Sequence, residues 1–221
     1  MDLIAYEGVY SFIHDGWQGT LTLKADNENQ LKAWYDSIRF ARRFVGSGSV
    51  AAADPRHLKL VIHRFNEAPR QMFDGYLFGG RNQFLAGTTT WRNIPFGFFA
   101  RKSGPSCLAP FGTANDRLSR RDFLGEYTLW TDGGLGGLEV IPGPRGIRAF
   151  YVDDQGTRTK IAIEAGGAND HEIKFELPAA AGSGEAHGYF FTRPKNGAAG
   201  LVKTTERTSG FFMTKYRDAV L

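Results

Sequence analysis

At 221 residues the chain has room for one or two domains, and its 28 glycines, 14% aromatic and 42% hydrophobic residues suit many short strands with tight turns rather than disorder or long helices. The net charge of +4 is spread out, and without long basic runs or aromatic stacking platforms it points away from nucleic acid. A single cysteine, Cys107, excludes an intrachain disulfide and a zinc site built on thiolates, and no apolar run reaches the length of a membrane span.

The N-terminal stretch Met1 to Glu7 lacks a basic segment followed by an apolar one, so the chain is expected to be cytoplasmic. From there, alternating apolar and polar residues between turn signals predict strands near residues 8–14, 18–25, 31–37, 40–50, 57–65, 70–78, 84–92 and 96–102. In the first of these connections, His14-Asp15-Gly16-Trp17 pairs a histidine with a carboxylate, but Asp-Gly is a favoured hairpin sequence and reads as a turn. Gly46-Ser47-Gly48-Ser49 lies inside a predicted strand and resembles a nucleophile elbow in composition only. A linker follows over 104–122, where Gly104-Pro105, Ala109-Pro110 and Gly112 break any strand and Arg117, Arg120 and Arg121 form a basic cluster.

Beyond the linker, strands are predicted near 124–131, 136–141, 147–153, 158–165, 171–177, 186–192, 198–206 and 209–216. Ile173, Phe175 and Leu177 share one face while Glu172, Lys174 and Glu176 share the other, the pattern of a sheet with one buried and one wet side. Gly133 to Gly137 is glycine-rich, yet no Lys-Ser or Lys-Thr follows, so it reads as a flexible hairpin rather than a phosphate cradle.

The two halves match in order. Gly8 and Tyr10 answer to Gly125 and Tyr127, Asp15 to Asp132, and Leu21 to Leu138. Ala33-Trp34-Tyr35 answers to Ala149-Phe150-Tyr151, and Gly75-Tyr76-Leu77-Phe78 to Gly188-Tyr189-Phe190-Phe191. Ala86-Gly87 then answers to Ala199-Gly200, and Gly97-Phe98-Phe99 to Gly210-Phe211-Phe212. Such collinearity marks a tandem duplication, with units over 6–103 and 123–217. No helix separates consecutive strands, so they are antiparallel, and closing each set removes exposed edges. The expected fold is therefore all-β, two tandem eight-stranded antiparallel up-and-down β-barrels, with a sandwich per unit as the alternative. Few contacts are expected to cross between the units.

Tyr35-Asp36-Ser37 together with Gly87-Thr88-Thr89-Thr90-Trp91 resembles the avidin and streptavidin family of calycin-type barrels, where a Tyr-x-Ser and a Thr-Thr-Trp line a ligand pocket. That resemblance implies that Tyr35, Ser37 and Thr89 donate hydrogen bonds to a ligand head group and that Trp91 walls the pocket. The family carries its Thr-Thr-Trp on the sixth strand, and here it falls on the seventh; the second unit has Leu201-Val202-Lys203-Thr204 in its place. Read without the resemblance, Tyr35 and Trp91 fill a barrel and the threonine hydroxyls bond neighbouring carbonyls.

His57, His63, His171 and His187 lack metal-ligand spacing, and no catalytic, metal or cofactor site is assigned. The expected function is a non-enzymatic, lectin-like or avidin-like protein that binds a small organic ligand or sugar in an aromatic-lined barrel pocket or at its rim. The alternatives are a cofactor-free cyclase or isomerase using His14 or Arg39, and an interaction module with filled barrels. Oligomeric state, a homo-oligomer included, stays open.

Overall fold

The computed structural model describes residues 3–15, 17–26, 30–63, 70–79, 81–102, 118–144 and 146–219. Cys107, Arg117 and the Gly-Pro, Ala-Pro and Gly112 breaks of the linker lie outside the described residues.

The first half forms β1 (Gly8–His14), β2 (Trp17–Ala25), β3 (Leu31–Ser37), β4 (Arg42–Ala51), β5 (Asp54–His63), β6 (Gln71–Phe78), β7 (Phe84–Trp91) and β8 (Ile94–Lys102). These strands pair antiparallel in sequence order, and β8 returns to β1 to close the barrel. The second half forms β9 (Gly125–Thr131), β10 (Gly134–Gly143), β11 (Gly146–Val152), β12 (Arg158–Ile161), β13 (Ile163–Ala165), β14 (Glu172–Leu177), β15 (Gly184–Phe190), β16 (Gly197–Lys203) and β17 (Thr208–Arg217). The strand expected over 158–165 is split at Ala162: β12 pairs only with β11 and β13 only with β14, so this second barrel is nearly closed.

Alternation explains the first core. Phe12, Tyr35, Phe73 and Phe98 point inward from four strands, and the Phe12 ring lies 5.3 Å from Tyr35, 5.4 Å from Phe73 and 6.0 Å from Phe98 in edge-on contacts. The interior is therefore packed with side chains, as expected of eight strands. A single 3-10 turn, Leu3–Tyr6, plugs one end: Tyr6 donates to the Pro55 carbonyl, and Tyr10 donates to the Tyr6 carbonyl at 2.7 Å. The duplicated Tyr127 likewise donates to the Phe123 carbonyl at 2.6 Å, below a second 3-10 turn at Arg120–Phe123. At the opposite, mouth end of the first barrel the interior layer turns polar, with His14, Ser37, Gln71 and Thr89 all buried.

The two barrels lie side by side, and the expectation of few contacts between them is corrected. Ile13, Phe78, Ala86 and Phe99 of the first pack against Phe191, Ala199 and Phe212 of the second. The relation is a pseudo-two-fold of repeat equivalents. Phe99 stacks on its own counterpart Phe212, with centroids 3.8 Å apart and planes 8° from parallel. A Cβ on Gly97 would lie 2.4 Å from the Ala199 carbonyl oxygen, and one on Gly210 2.9 Å from that of Ala86, so both glycines are needed for the barrels to approach. The mouth hairpin of each barrel also grips the closed end of the other. Asp15 accepts from the Thr192 amide at 3.0 Å, and Asp132 accepts from the Gly79 amide at 3.3 Å. Asp15 and Asp132 sit in turns, as expected from the sequence, and their carboxylates also staple the halves together.

Candidate functional site

The mouth of the first barrel meets the closed end of the second across a cleft of about 670 Å³. His14, Asp15 and Trp17 reach it from the β1–β2 hairpin, Gln71 from the start of β6, Trp91 and Ile94 from the β7–β8 hairpin, and Asn169 to His171 with Thr192 and Arg193 from the second barrel. The hairpin turn residues Arg92 and Asn93 both have positive φ, the geometry of a two-residue turn that matches strand twist.

Gln71 is the most informative residue. It is 2% exposed, and its Nε2 donates to Thr89 Oγ1 at 3.1 Å while the Thr89 hydroxyl donates to the Met72 carbonyl at 2.6 Å. A carbonyl can only accept, so the Thr89 proton is committed, and Thr89 can only accept from Gln71. The amide orientation is thereby fixed. Gln71 Oε1 is left buried without a hydrogen-bond partner among the described residues. An acceptor in that condition costs about 1–3 kcal/mol and is rare enough to need a reason.

Asp15 is the second. Thr192 donates both its amide N–H and its hydroxyl, at 3.0 and 2.8 Å, to Oδ1, and no cation comes within ion-pair distance among the described residues. Burial raises the carboxyl above the ordinary aspartate range, against the lowering pull of the two Thr192 hydrogen bonds and of His171 and Arg193. His171 Nε2 lies 2.7 Å from the Pro95 carbonyl oxygen and so carries the proton, and its ring stacks on Phe96. The Arg193 and Arg39 guanidinium groups lie over the Trp17 ring at 4.3 and 3.6 Å.

Of the residues expected to form a pocket, Trp91 lines this cleft and is half-buried. Thr89 sits just inside and orients Gln71. Tyr35 is packed in the core, where its hydroxyl donates to the Gln18 carbonyl at 3.4 Å, and Ser37 Oγ accepts from the Phe40 amide at the β3–β4 turn. Gln71, Asp15 and His171 are not among the ligand groups expected from the sequence. Gln71 leaves a trace in the sequence, as a polar residue at an inward position of the run Gln71, Phe73, Gly75, Leu77. The second-barrel contributors leave none, since only the packing of the two units brings them here.

The duplicated mouth is different. There Asp132 Oδ2 accepts from Arg56 at 2.8 Å and Arg207 at 2.9 Å, and the surrounding depression is about 370 Å³. Elsewhere Glu172, expected on a wet face, is buried, because His187 and Lys174 pair with it and the Ala168 amide donates to it. Among the described residues no group of three His, Cys, Asp or Glu side chains is placed to hold a metal, and no helix is long and apolar enough to cross a membrane.

No family model matches the chain, and no curated protein does. Among solved structures, it is similar to a protein of unknown function of the DUF3598 family from Nostoc punctiforme PCC 73102, with 13% identity, a TM-score of 0.30, and 97% of this chain and 94% of that one covered. It is also similar to a putative outer membrane protein from Bacteroides fragilis NCTC 9343, with 8% identity, a TM-score of 0.24, and 95% of each chain covered.

Proposed function

We propose that the protein binds a small molecule, and that the site is the cleft at the mouth of the first barrel rather than a hollow interior. The observation that carries this reading is Gln71 Oε1, a buried acceptor held by Thr89 in the one orientation that leaves it without a partner among the described residues, beside the cleft. A ligand N–H or O–H would complete it. Trp91, Phe96 and Trp17 supply the aromatic walls, and Asp15, His171 and Arg193 the polar contacts, the mixture expected of a ligand cleft. The packed core favours a rim site over the enclosed avidin-like pocket: Tyr35 and Ser37 support the rim, Thr89 positions Gln71, and Trp91 touches the ligand. A thermal-shift screen over small organic molecules and simple sugars tests this. Hits should lose their shift in Trp91→Phe and keep it in Tyr35→Phe; hits that ignore Trp91 would place binding elsewhere.

One observation favours a cofactor-free isomerase as the second reading. Asp15, with its raised pKa, and His171, held through Nε2 by the Pro95 carbonyl, share the cleft and could act as acid and base. Turnover of a bound hit, lost in His171→Gln, would select it.

A further inference from the structure

The duplication supplies an internal control for what this cleft takes. Asp15 and Asp132 occupy the same place in the two mouth hairpins, and each bonds the equivalent connection of the other barrel through Oδ1. In the second copy Oδ2 of Asp132 holds two guanidinium groups, from Arg56 and Arg207. The first copy has replaced both. No gap separates the Ala86 and Gly97 matches, so position 94 corresponds to 207, and Ile94 stands where Arg207 does. Strand register places His57 opposite Tyr76 and Glu172 opposite Tyr189, the duplicated tyrosine, so position 56 corresponds to 171 and His171 stands where Arg56 does. His171 is occupied with the Pro95 carbonyl.

The consequence is a carboxylate that kept its hairpin and its Thr192 donors while losing both counter-ions, in a cleft of about 670 Å³ instead of about 370 Å³. Asp170 adds a second carboxylate to that cleft, and Gln71 Oε1 a buried acceptor. The cations nearby are Arg92 and Arg193; Arg193 lies over Trp17, outside ion-pair distance of Asp15 among the described residues. Resting on the ligand reading above, we infer that the cleft receives a small molecule bearing a guanidinium group, which takes the place on Asp15 that Arg56 and Arg207 fill on Asp132. Its planar fork would give one edge to the Asp15 carboxylate and a further N–H to Gln71 Oε1, with the aromatic walls accommodating its flat face.

The test is calorimetric titration of the full chain with agmatine, with its neutral urea analogue N-carbamoylputrescine, and with glucose. Agmatine should bind, the urea analogue should bind at least about tenfold more weakly, and Asp15→Asn, which keeps an acceptor for Thr192, should weaken agmatine by about the same factor, the scale of a hydrogen bond to a charged group. Ile94→Arg, which restores the arginine of the second copy, should abolish agmatine binding while raising the thermal midpoint. No agmatine binding, or binding that neither Asp15→Asn nor Ile94→Arg changes, would overturn the inference. If glucose or another neutral hit binds with dependence on Trp91 while agmatine does not, the guanidinium assignment fails and the ligand cleft stands. If nothing in the broader screen depends on Trp91, both fail.

Discussion

Replacing Gln71 by Met should make the protein more stable and less able to bind. The substitution conserves volume and reach at a position that is 2% exposed. It removes an Oε1 that has no partner among the described residues, whose burial costs about 1–3 kcal/mol, and loses the Nε2 to Thr89 hydrogen bond, worth about 0.5–1.5 kcal/mol. Thr89 keeps its own donation to the Met72 carbonyl, so no new buried donor is stranded. The balance is a gain on the order of 1 kcal/mol, the familiar exchange of stability against a functional polar group. Urea unfolding of both proteins should give a higher midpoint for Gln71→Met with an unchanged slope. Thr89→Val, which strands the Gln71 amide donors, should instead cost about 1–3 kcal/mol, and much of that cost should vanish when Gln71→Met is added. If Gln71→Met is destabilised by about 1 kcal/mol or more, Oε1 is satisfied within the protein and the main support for the cleft is gone.

Three further outcomes follow from the same structure. Asp15→Asn should raise the thermal midpoint at neutral pH, because the raised carboxyl pKa means that the fold binds its proton more tightly than the unfolded chain does, and this group's stabilisation is lost as pH rises through the raised folded-state pKa. The advantage should close below the ordinary aspartate range, and an advantage that grows toward acid would contradict the sign. Phe99→Ala should cost about 3–5 kcal/mol in denaturant melts, since its ring is stacked on Phe212 between the barrels, and a cost under about 1 kcal/mol would mean the interface contributes little. Tyr35→Phe should cost about 0.5–1.5 kcal/mol through the lost bond to the Gln18 carbonyl and leave ligand affinity unchanged; lost affinity would return Tyr35 to the binding site.

The barrels were legible in the sequence because period-two alternation and repeated turn residues are local signals, and because a duplication shows each signal twice. Gly97 and Gly210 were visible as a matched pair, but their purpose was not: each clears room for a carbonyl of the other barrel, a contact between residues about a hundred positions apart. The aspartates of the two mouth hairpins carry a turn signal in the sequence, but their second role depends on how the barrels dock. The split of the fourth strand of the second barrel at Ala162 left no turn signal to read. The candidate site was half legible. Trp91 and Thr89 stand out through the avidin-like resemblance of their segment, whereas the proposed role of Asp15 depends on Ile94 and His171 standing where the second copy has arginines, a difference that appears only once the two copies are laid over each other in space.

On the proposed function, ligand binding belongs to the first mouth and not to the second. Backbone amide shifts mapped by NMR during titration with the best screening hit test it directly. Trp17, Gln71, Trp91 and Thr192 should move together and saturate at one affinity, while Asp132, Thr204 and Arg207 at the duplicated mouth should stay in place. Shifts centred on Asp132 and Arg207, or spread equally over both mouths, would contradict it.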